Sequence, residues 1–417
     1  MSSLLGTTVG LTNMGNTCFL NAALQALLRC TPTGPLLLSD DLHIREESNK
    51  REMVHAFRTL MHDFWIVNPP PLTSMQRPSL MPGGFLQSLY TVLRETGDDW
   101  HRRGQQSDAA EAIQHILEYL HDALYRRVVM ETRGLADTPS QISQIKALES
   151  WSTFFAKEYS PIVENFYGQT RIGIKCSVCG NETERFEPYL MLKPGIPGAE
   201  VSGGLAPTVT QCMNEEFAPE DIPGYDCLKC AKKTTATKQV LISRLPPVAL
   251  VAIKRFINVP RTFGGGIETR KVRGKIVWDL DAFDFSPWYA FPRNPFTGRK
   301  ETGQYTTMSI IEHHGNLNGG HYLMYTRTDD GWLRCDDSSV MRIPQEEVIT
   351  QDSYIAVMVP SGTRESTTRA FEATVAELRR PAAAGAGAVA GTAVAGAAVA
   401  GAGGATVAGG TAVAAPA

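Results

Sequence analysis

Apolar residues recur at helical spacing in three stretches of the first third of the chain. Leu20, Ala23, Leu24, Leu27 and Leu28 predict a helix running on from Cys18. Met53, Ala56, Phe57, Leu60, Met61 and Phe64 predict a second, ended by Asn68-Pro69-Pro70-Pro71, because proline has no N–H to donate and fixes its own φ. Ala109, Ala112, Ile113, Ile116, Leu117, Leu120 and Leu124 predict a third. Stripes of this kind face a core and need no functional explanation. From about residue 160 the pattern turns to short β-rich segments separated by Gly, Pro and Asn: 163–176, 185–194, 235–245, 248–259, 305–315, 320–339 and 352–360. Helices first and strands later predict an α+β fold rather than alternating βαβ units. Residues 1–7 read as a short tail and 366–380 as one more amphipathic helix, within a C-terminal segment 361–380.

Beyond Arg380 the pattern disappears. Residues 381–417 are dominated by Ala, Gly, Val and Thr and carry no charge. Their uncharged length could formally span a bilayer. The stretch has no Leu, Ile or Phe, and its many glycines weaken a helix, so a flexible low-complexity tail is the expectation and a membrane anchor the minor alternative. The rest of the composition is ordinary: 417 residues, 43% hydrophobic and 20% charged, enough for one large domain or two medium ones. A net charge of −3 gives no reason to expect the basic footprint of a nucleic-acid binder and only weakly suits a basic protein partner.

Eight cysteines stand at 18, 30, 176, 179, 212, 227, 230 and 335. The N-terminus has neither the basic nor the apolar region of a secretory signal, so an intracellular protein of the cytoplasm or nucleus is expected. Cys176-Ser177-Val178-Cys179 and Cys227-Leu228-Lys229-Cys230 form two C-x-x-C knuckles. Four thiolates suit the tetrahedral preference of Zn²⁺, and each two-residue spacer lets both sulfurs of a knuckle face one ion. A redox dithiol is the competing reading, but two copies without a thioredoxin-like βαβ context favour one structural Zn²⁺.

Cys18 stands where the Gly/Asn-rich run Gly10 to Thr17 meets the first predicted helix. The positive end of a helix and its open N–H groups stabilise a thiolate and can receive an oxyanion. A lone cysteine there would more often be a buried structural residue, so the reading needs partners. A thiol nucleophile requires a histidine to move its proton and a carboxylate or amide to orient that imidazole. His321 and Asp336 meet the requirement, because the turn Thr328-Asp329-Asp330-Gly331 would set them side by side on a hairpin.

These residues carry a resemblance. The run from Gly10 to Leu28 resembles the Cys box of the ubiquitin-specific proteases, and 313–327 with 331–340 resembles their His box. Gln105-Gln106-Ser107-Asp108-Ala109-Ala110-Glu111 is similar to the family's Q-x-D-A-x-E element. Leu245-Pro246-Pro247-Val248 followed by Ile253-Lys254-Arg255-Phe256 is similar to its L-P-x-V…L-K-R-F strand. The motifs occur in family order across residues 8–360.

The resemblance implies a papain-like α+β fold with a helical thumb, a β-rich palm and zinc-stapled β-ribbon fingers within about 165–245. It implies a monomeric cysteine deubiquitinase acting on ubiquitin and ubiquitinated proteins, with no nucleic-acid or membrane partner. Cys18 would be nucleophile, His321 base, Asp336 third triad member, Asp337 its supporting neighbour and Asn13 oxyanion donor. Asn13 could equally be a turn residue. Gln106, Asp108 and Glu111 would bind the basic tail of ubiquitin, although Asp108 could simply cap a helix and Glu111 be a solvated charge. Ala112 and Cys335 depart from the bulkier residues usual at their positions, which touches packing rather than chemistry. A non-catalytic ubiquitin-binding scaffold and a protease for another ubiquitin-like modifier are the rival readings.

Overall fold

The computed structural model describes residues 8–380 except 68–78, 133, 199–205, 262–265, 317–318 and 349–350, together with the backbone of 413–414. The proline run expected to end the second helix and the Ala/Gly tail, apart from that dipeptide, lie outside the described residues.

All three predicted helices form, as Cys18–Leu28, Arg51–His62 and Ala109–Leu124. A π-helical turn, Asp63–Val67, continues the second. The last predicted helix is Arg364–Leu378. Two further long helices, Gly83–Thr96 and Pro139–Phe155, were not read from the pattern. Gly83–Thr96 opens on two glycines, which argue against a helix on propensity, but Phe85, Leu86, Leu89, Val92 and Leu93 are buried and tertiary packing overrides them. The apolar stripe of Pro139–Phe155 is poor; its local signal is the capping box of Thr138 and Gln141 with proline in the first turn. The segment 163–176 divides. Pro161–Phe166 is helical, started by Ser160 as N-cap, and the strand begins only at Gly168.

The main sheet is antiparallel, in the order Ser339–Ile343, Gly331–Asp336, Gly319–Thr328, Gln304–Asn316, Ser353–Pro360 and Ala249–Ala252, with Phe283–Asp284 joined to the fourth. Its central strands are buried on both faces. Leu250, Ala252, Ile355, Val357, Tyr322 and Met324 pack against the helical layer with Leu20, Leu24, Ile113 and Ile116. The alternating neighbours Ala249, Val251, Ala356, Met358, Leu323 and Tyr325 pack with Trp278, Phe285 and Trp288 on the other side. Two-sided burial explains why these strands read as continuous apolar runs. A second antiparallel sheet, ordered Glu182–Tyr189, Gly168–Cys176, Lys232–Arg244 and Glu220–Cys227, forms a ribbon with one cysteine pair at each of its two end turns.

The C-terminal helix is tied to the back of the helix that starts at Cys18. Phe371, fully buried, meets the indole of Trp65 edge-on at 4.9 Å between ring centres. Trp65 donates its Nε1–H to the Leu28 carbonyl at 2.8 Å, at the far end of that helix, and the Arg379 guanidinium donates to the Trp65 carbonyl. Phe371→Ala is expected to cost about 3–5 kcal/mol by the loss of buried area and the cavity left behind. Leu378→Ala, at a position 37% exposed, should cost far less, about 1 kcal/mol or under. Urea unfolding of both variants measures the difference.

Candidate active site and metal centre

The loop before Cys18 is shaped by its own side chains. Asn13 Oδ1 accepts from the N–H of Gly15 (3.0 Å) and of Thr17 (3.2 Å), bending the chain through left-handed Gly15 and Asn16. Thr17, the N-cap residue, makes no side-chain cap. Its hydroxyl instead accepts from Met14 N–H at 2.9 Å. The first-turn N–H groups of the Cys18 helix are therefore not consumed by a cap and remain available to an anion. The Cys18 thiol is buried, and desolvation pushes its pKa up. The backbone of Tyr322, next in sequence to His321, pulls the other way, as does that of Phe19, while the carboxylate of Asp337 adds to the rise. The thiol thus lies against the strand that carries the histidine.

That strand and its neighbour turn tightly at Asp329-Asp330, with Thr328 paired to Gly331. The ladder runs up to Met324 opposite Cys335, so His321 and Asp336 meet diagonally and not face to face. His321 Nε2 lies 2.6 Å from Asp336 Oδ1, and Arg334 holds the other carboxylate oxygen at 2.8 Å. A carboxylate can only accept, so Nε2 carries the proton and Nδ1 holds the lone pair in the neutral ring. Among the described residues no hydrogen bond joins Cys18 to His321.

Asp337 sits at the turn that follows, with φ of 49°. Its carboxylate accepts from Asn13 Nδ2 at 2.9 Å and from Asn21 Nδ2 at 2.7 Å, and its carbonyl accepts from Leu11 N–H at 2.9 Å. Gly10 makes the approach possible: a Cβ there would stand 2.4 Å from the Ser338 carbonyl oxygen. Asn13 is therefore a turn residue whose amide is also aimed by Asp337. Asn21 was missed from sequence. Its signal was a polar residue one turn after Cys18, one of only two, with Gln25, in a helix otherwise apolar.

Beside these groups lies an open cleft of about 660 Å³, lined by Asn16, Gln105, Gln106, Asp108, Phe256, His313, Asn316, Gly319 and Tyr322. Gln106, expected to bind substrate, commits both amide atoms to Gly320: Nε2 donates to its carbonyl at 2.6 Å and Oε1 accepts from its N–H at 2.9 Å. Asp108 caps the helix Ala109–Leu124, accepting from Ala110 N–H (2.7 Å) and Glu111 N–H (3.2 Å), and its second oxygen accepts from Tyr354 Oη at 2.7 Å. Glu111 is exposed, and partial desolvation followed by the charge of Asp108 pushes its pKa up. Ala112 and Cys335 are both buried in the core.

At one end of the ribbon sheet the sulfurs of Cys176, Cys179, Cys227 and Cys230 all lie within 4.8 Å of one another. Cys176–Cys230 are 3.9 Å apart and Cys179–Cys227 3.6 Å. Sulfurs on a tetrahedron with metal–sulfur bonds of ~2.3 Å would be ~3.8 Å apart, so the four thiols are set to hold a metal ion. All eight cysteines are free of disulfides.

The sequence matches the family model described as "Ubiquitin carboxyl-terminal hydrolase" over residues 9–357. The chain belongs to this family. Similar relatives include ubiquitin carboxyl-terminal hydrolase 21 of Homo sapiens, 27% identical over 370 residues that cover 83% of this chain and 60% of the relative. Ubiquitin carboxyl-terminal hydrolase 4 of Saccharomyces cerevisiae (strain ATCC 204508 / S288c) is 25% identical over 376 residues, 83% of this chain and 38% of the relative. The chain thus spans well under two thirds of the length of these relatives. Among solved structures, that of the "SAGA Ubp8/Sgf11/Sus1/Sgf73 DUB module bound to ubiquitin aldehyde" is similar in fold, with a TM-score of 0.64 at 22% identity over 86% of this chain and 70% of that one. The family's α+β papain-like fold agrees with the two sheets and the helical layer described above. No helix among the described residues is long and apolar enough to cross a membrane.

Two buried histidines flank the site. His101 is wedged against Phe19, with its ring nitrogens on Ser107 Oγ and Tyr90 Oη, and burial lowers its pKa. His313, on the cleft wall, is lowered to about 4, by burial first and the Lys271 charge second. A folded-state pKa below the unfolded value of about 6.5 means that the unfolded chain binds the extra proton first. Their contribution to stability is complete above about pH 6.5 and is lost as pH falls, for His313 down to about 4. The thermal midpoint should therefore drop between about pH 7 and 5, and drop less in His101→Gln. Calorimetry across that range checks both.

Proposed function

We propose that the chain is a thiol-dependent deubiquitinase that hydrolyses the peptide or isopeptide bond after the C-terminal glycine of ubiquitin. The observation that carries this reading is the His321–Asp336 pair, with Nδ1 left as the base, on the strand whose backbone touches the Cys18 sulfur. In a buried site the thiol is held protonated, so a nearby base is needed to produce the nucleophile. Nδ1 of His321 takes the proton as Cys18 attacks the glycine carbonyl. The oxyanion is received by first-turn N–H groups of the Cys18 helix and by the second amide hydrogen of Asn13, the first being held by Asp337. The imidazolium, stabilised by Asp336, returns the proton to the leaving amine. Water activated by the same ring then hydrolyses the thioester.

The cleft supports the substrate assignment. Its floor reaches Gly319 and Tyr322, beside the base, and Asp108 stands on its wall with Glu111 following in the same helical turn, where a basic extended tail would pass. Gln106 contributes by fixing Gly320 and so the width of the cleft. Two similar solved structures are described as bound to ubiquitin aldehyde and to monoubiquitin. We assign the catalytic domain to residues 8–360, flanked by 1–7, the helical segment 361–380 and the tail 381–417. In this proposal it acts as a monomer in the reducing environment of the cytoplasm or nucleus, which free thiols favour.

A ubiquitin probe bearing a C-terminal electrophile tests the reading. Wild type should be labelled, Cys18→Ser should not, and Cys30→Ser, a buried thiol at the far end of the helix, should be labelled at near wild-type rate. An unlabelled wild type that is folded and metal-loaded would sink the proposal. His321→Ala is expected to lower kcat/KM for a ubiquitin C-terminal amide by at least about 100-fold.

The four-cysteine group holds one structural Zn²⁺ in this proposal, closing the end of the ribbon, and takes no part in the chemistry. Zinc analysis should give one ion per chain. Its removal by a chelator should raise KM for the ubiquitin substrate while Cys18 stays reactive toward chloroacetamide. Loss of that reactivity together with metal would show instead that the ion supports the catalytic core.

A further inference from the structure

The strand Gln304–Asn316 lies opposite the histidine strand through His314↔His321 and Gly315↔Gly320, so its end is the backing of the candidate base. On its other edge the neighbouring strand stops early. The last paired residue there is Glu312, opposite Ser353, and one more bond follows, from His313 N–H to the Asp352 carbonyl at 3.1 Å. Beyond that point no strand among the described residues pairs the carbonyls of His313 and Gly315, and buried or half-buried backbone needs another donor there.

Side chains at the end of a separate hairpin and just after it supply those donors. Lys271 ends the strand Ile267–Lys271, and its ammonium is almost wholly buried. It donates to the His313 carbonyl, to the Gly315 carbonyl at 3.4 Å and to Asp352 Oδ1 at 2.8 Å. Three N–H donors meet three acceptors, so the ammonium is fully satisfied. Arg273, two residues on, donates to the Gly315 carbonyl at 3.1 Å. The same strand end forms part of the cleft wall through His313 and Asn316, with Phe256, from the hairpin that Lys271 closes, beside it.

We infer that Lys271 is a positioning residue for His321: it terminates the edge of the backing strand, fixes the paired strand ends 313–316 and 319–321, and so sets where the imidazole meets Cys18. The role rests on the deubiquitinase reading above and concerns the same site. Gln106 holds the hairpin from the cleft side through Gly320, and Lys271 holds it from behind. A buried ammonium is costly without partners, and every partner of this one belongs to one strand end or its neighbouring loop, so the side chain fixes those two segments together.

Three measurements separate positioning from general support: kcat and KM on a ubiquitin C-terminal amide, the rate of labelling by the electrophilic ubiquitin probe, and the labelled fraction at saturation. Lys271→Met removes every donor and should lower kcat and labelling rate by about tenfold or more, with KM within about threefold and labelling still complete. Lys271→Gln keeps an N–H₂ for the two carbonyls and should recover most of the lost rate. Unchanged kcat in Lys271→Met, or a loss matched by an equal fall in the labelled fraction, overturns the assignment. Should Lys271→Met not fold, Arg273→Ala decides, because its side chain is exposed and only the Gly315 carbonyl loses a donor. A fall in kcat of about two- to fivefold with complete labelling supports the assignment, and no change overturns it. Failure of wild type to be labelled at all is a different result and removes the deubiquitinase reading itself.

Discussion

The carboxylate of Asp337 is the joint on which the site depends. It receives one amide from the loop before the nucleophile and another from inside the nucleophile helix, across separations of 324 and 316 residues. A single anion accepting two N–H bonds is a strong, directional clamp, and each bond is charge-assisted. The same residue accepts through its backbone from Leu11, so the N-terminal strand, the loop and the helix all converge on one turn of the hairpin. Because Asp336, next in sequence, holds His321, the position of the base and the position of the loop are set by adjacent residues on one backbone.

The walls of the cleft are finished by side chains where regular structure runs out. Gln106 completes Gly320 as a strand would, with one donor and one acceptor. The neighbouring strand requires glycine at this position, since a Cβ at Gly320 would stand 2.3 Å from the His314 carbonyl oxygen. Asp108 serves as helix cap and as acceptor for Tyr354, so part of its charge is spent on structure even though it borders the cleft. Such double employment keeps these side chains in fixed rotamers, the condition for an organised site.

The four-cysteine group stands apart from this chemistry. It closes an end of a four-stranded ribbon that buries far less apolar surface than the main sheet: Ile172, Cys176, Phe186, Cys227, Ala236 and Ile242 are its buried apolar members. A ribbon with so thin a core would gain much from a metal crosslink between its two end turns, where the four thiols are set to hold an ion.

The sequence by itself determined the strongly periodic helices, most of the strands and the cysteine knuckles, because each has a local pattern or a spacing that chemistry constrains, and its family motifs singled out Cys18, His321 and Asp336 as candidates. Asp108 as a helix cap was legible for the same reason, as was Asn13 as a turn residue. Tertiary structure alone decided the rest. The helix Gly83–Thr96 exists because its apolar face is buried, against the preference of its two leading glycines. The diagonal meeting of His321 and Asp336 follows from the strand register, which a turn sequence fixes only approximately. The partners of Asn21, Gln106 and Lys271 lie 316, 214 and 42 to 81 residues away, and no local pattern announces a hydrogen bond over such distances. Residue type could say that these side chains want partners; only the packed chain determined which ones they found.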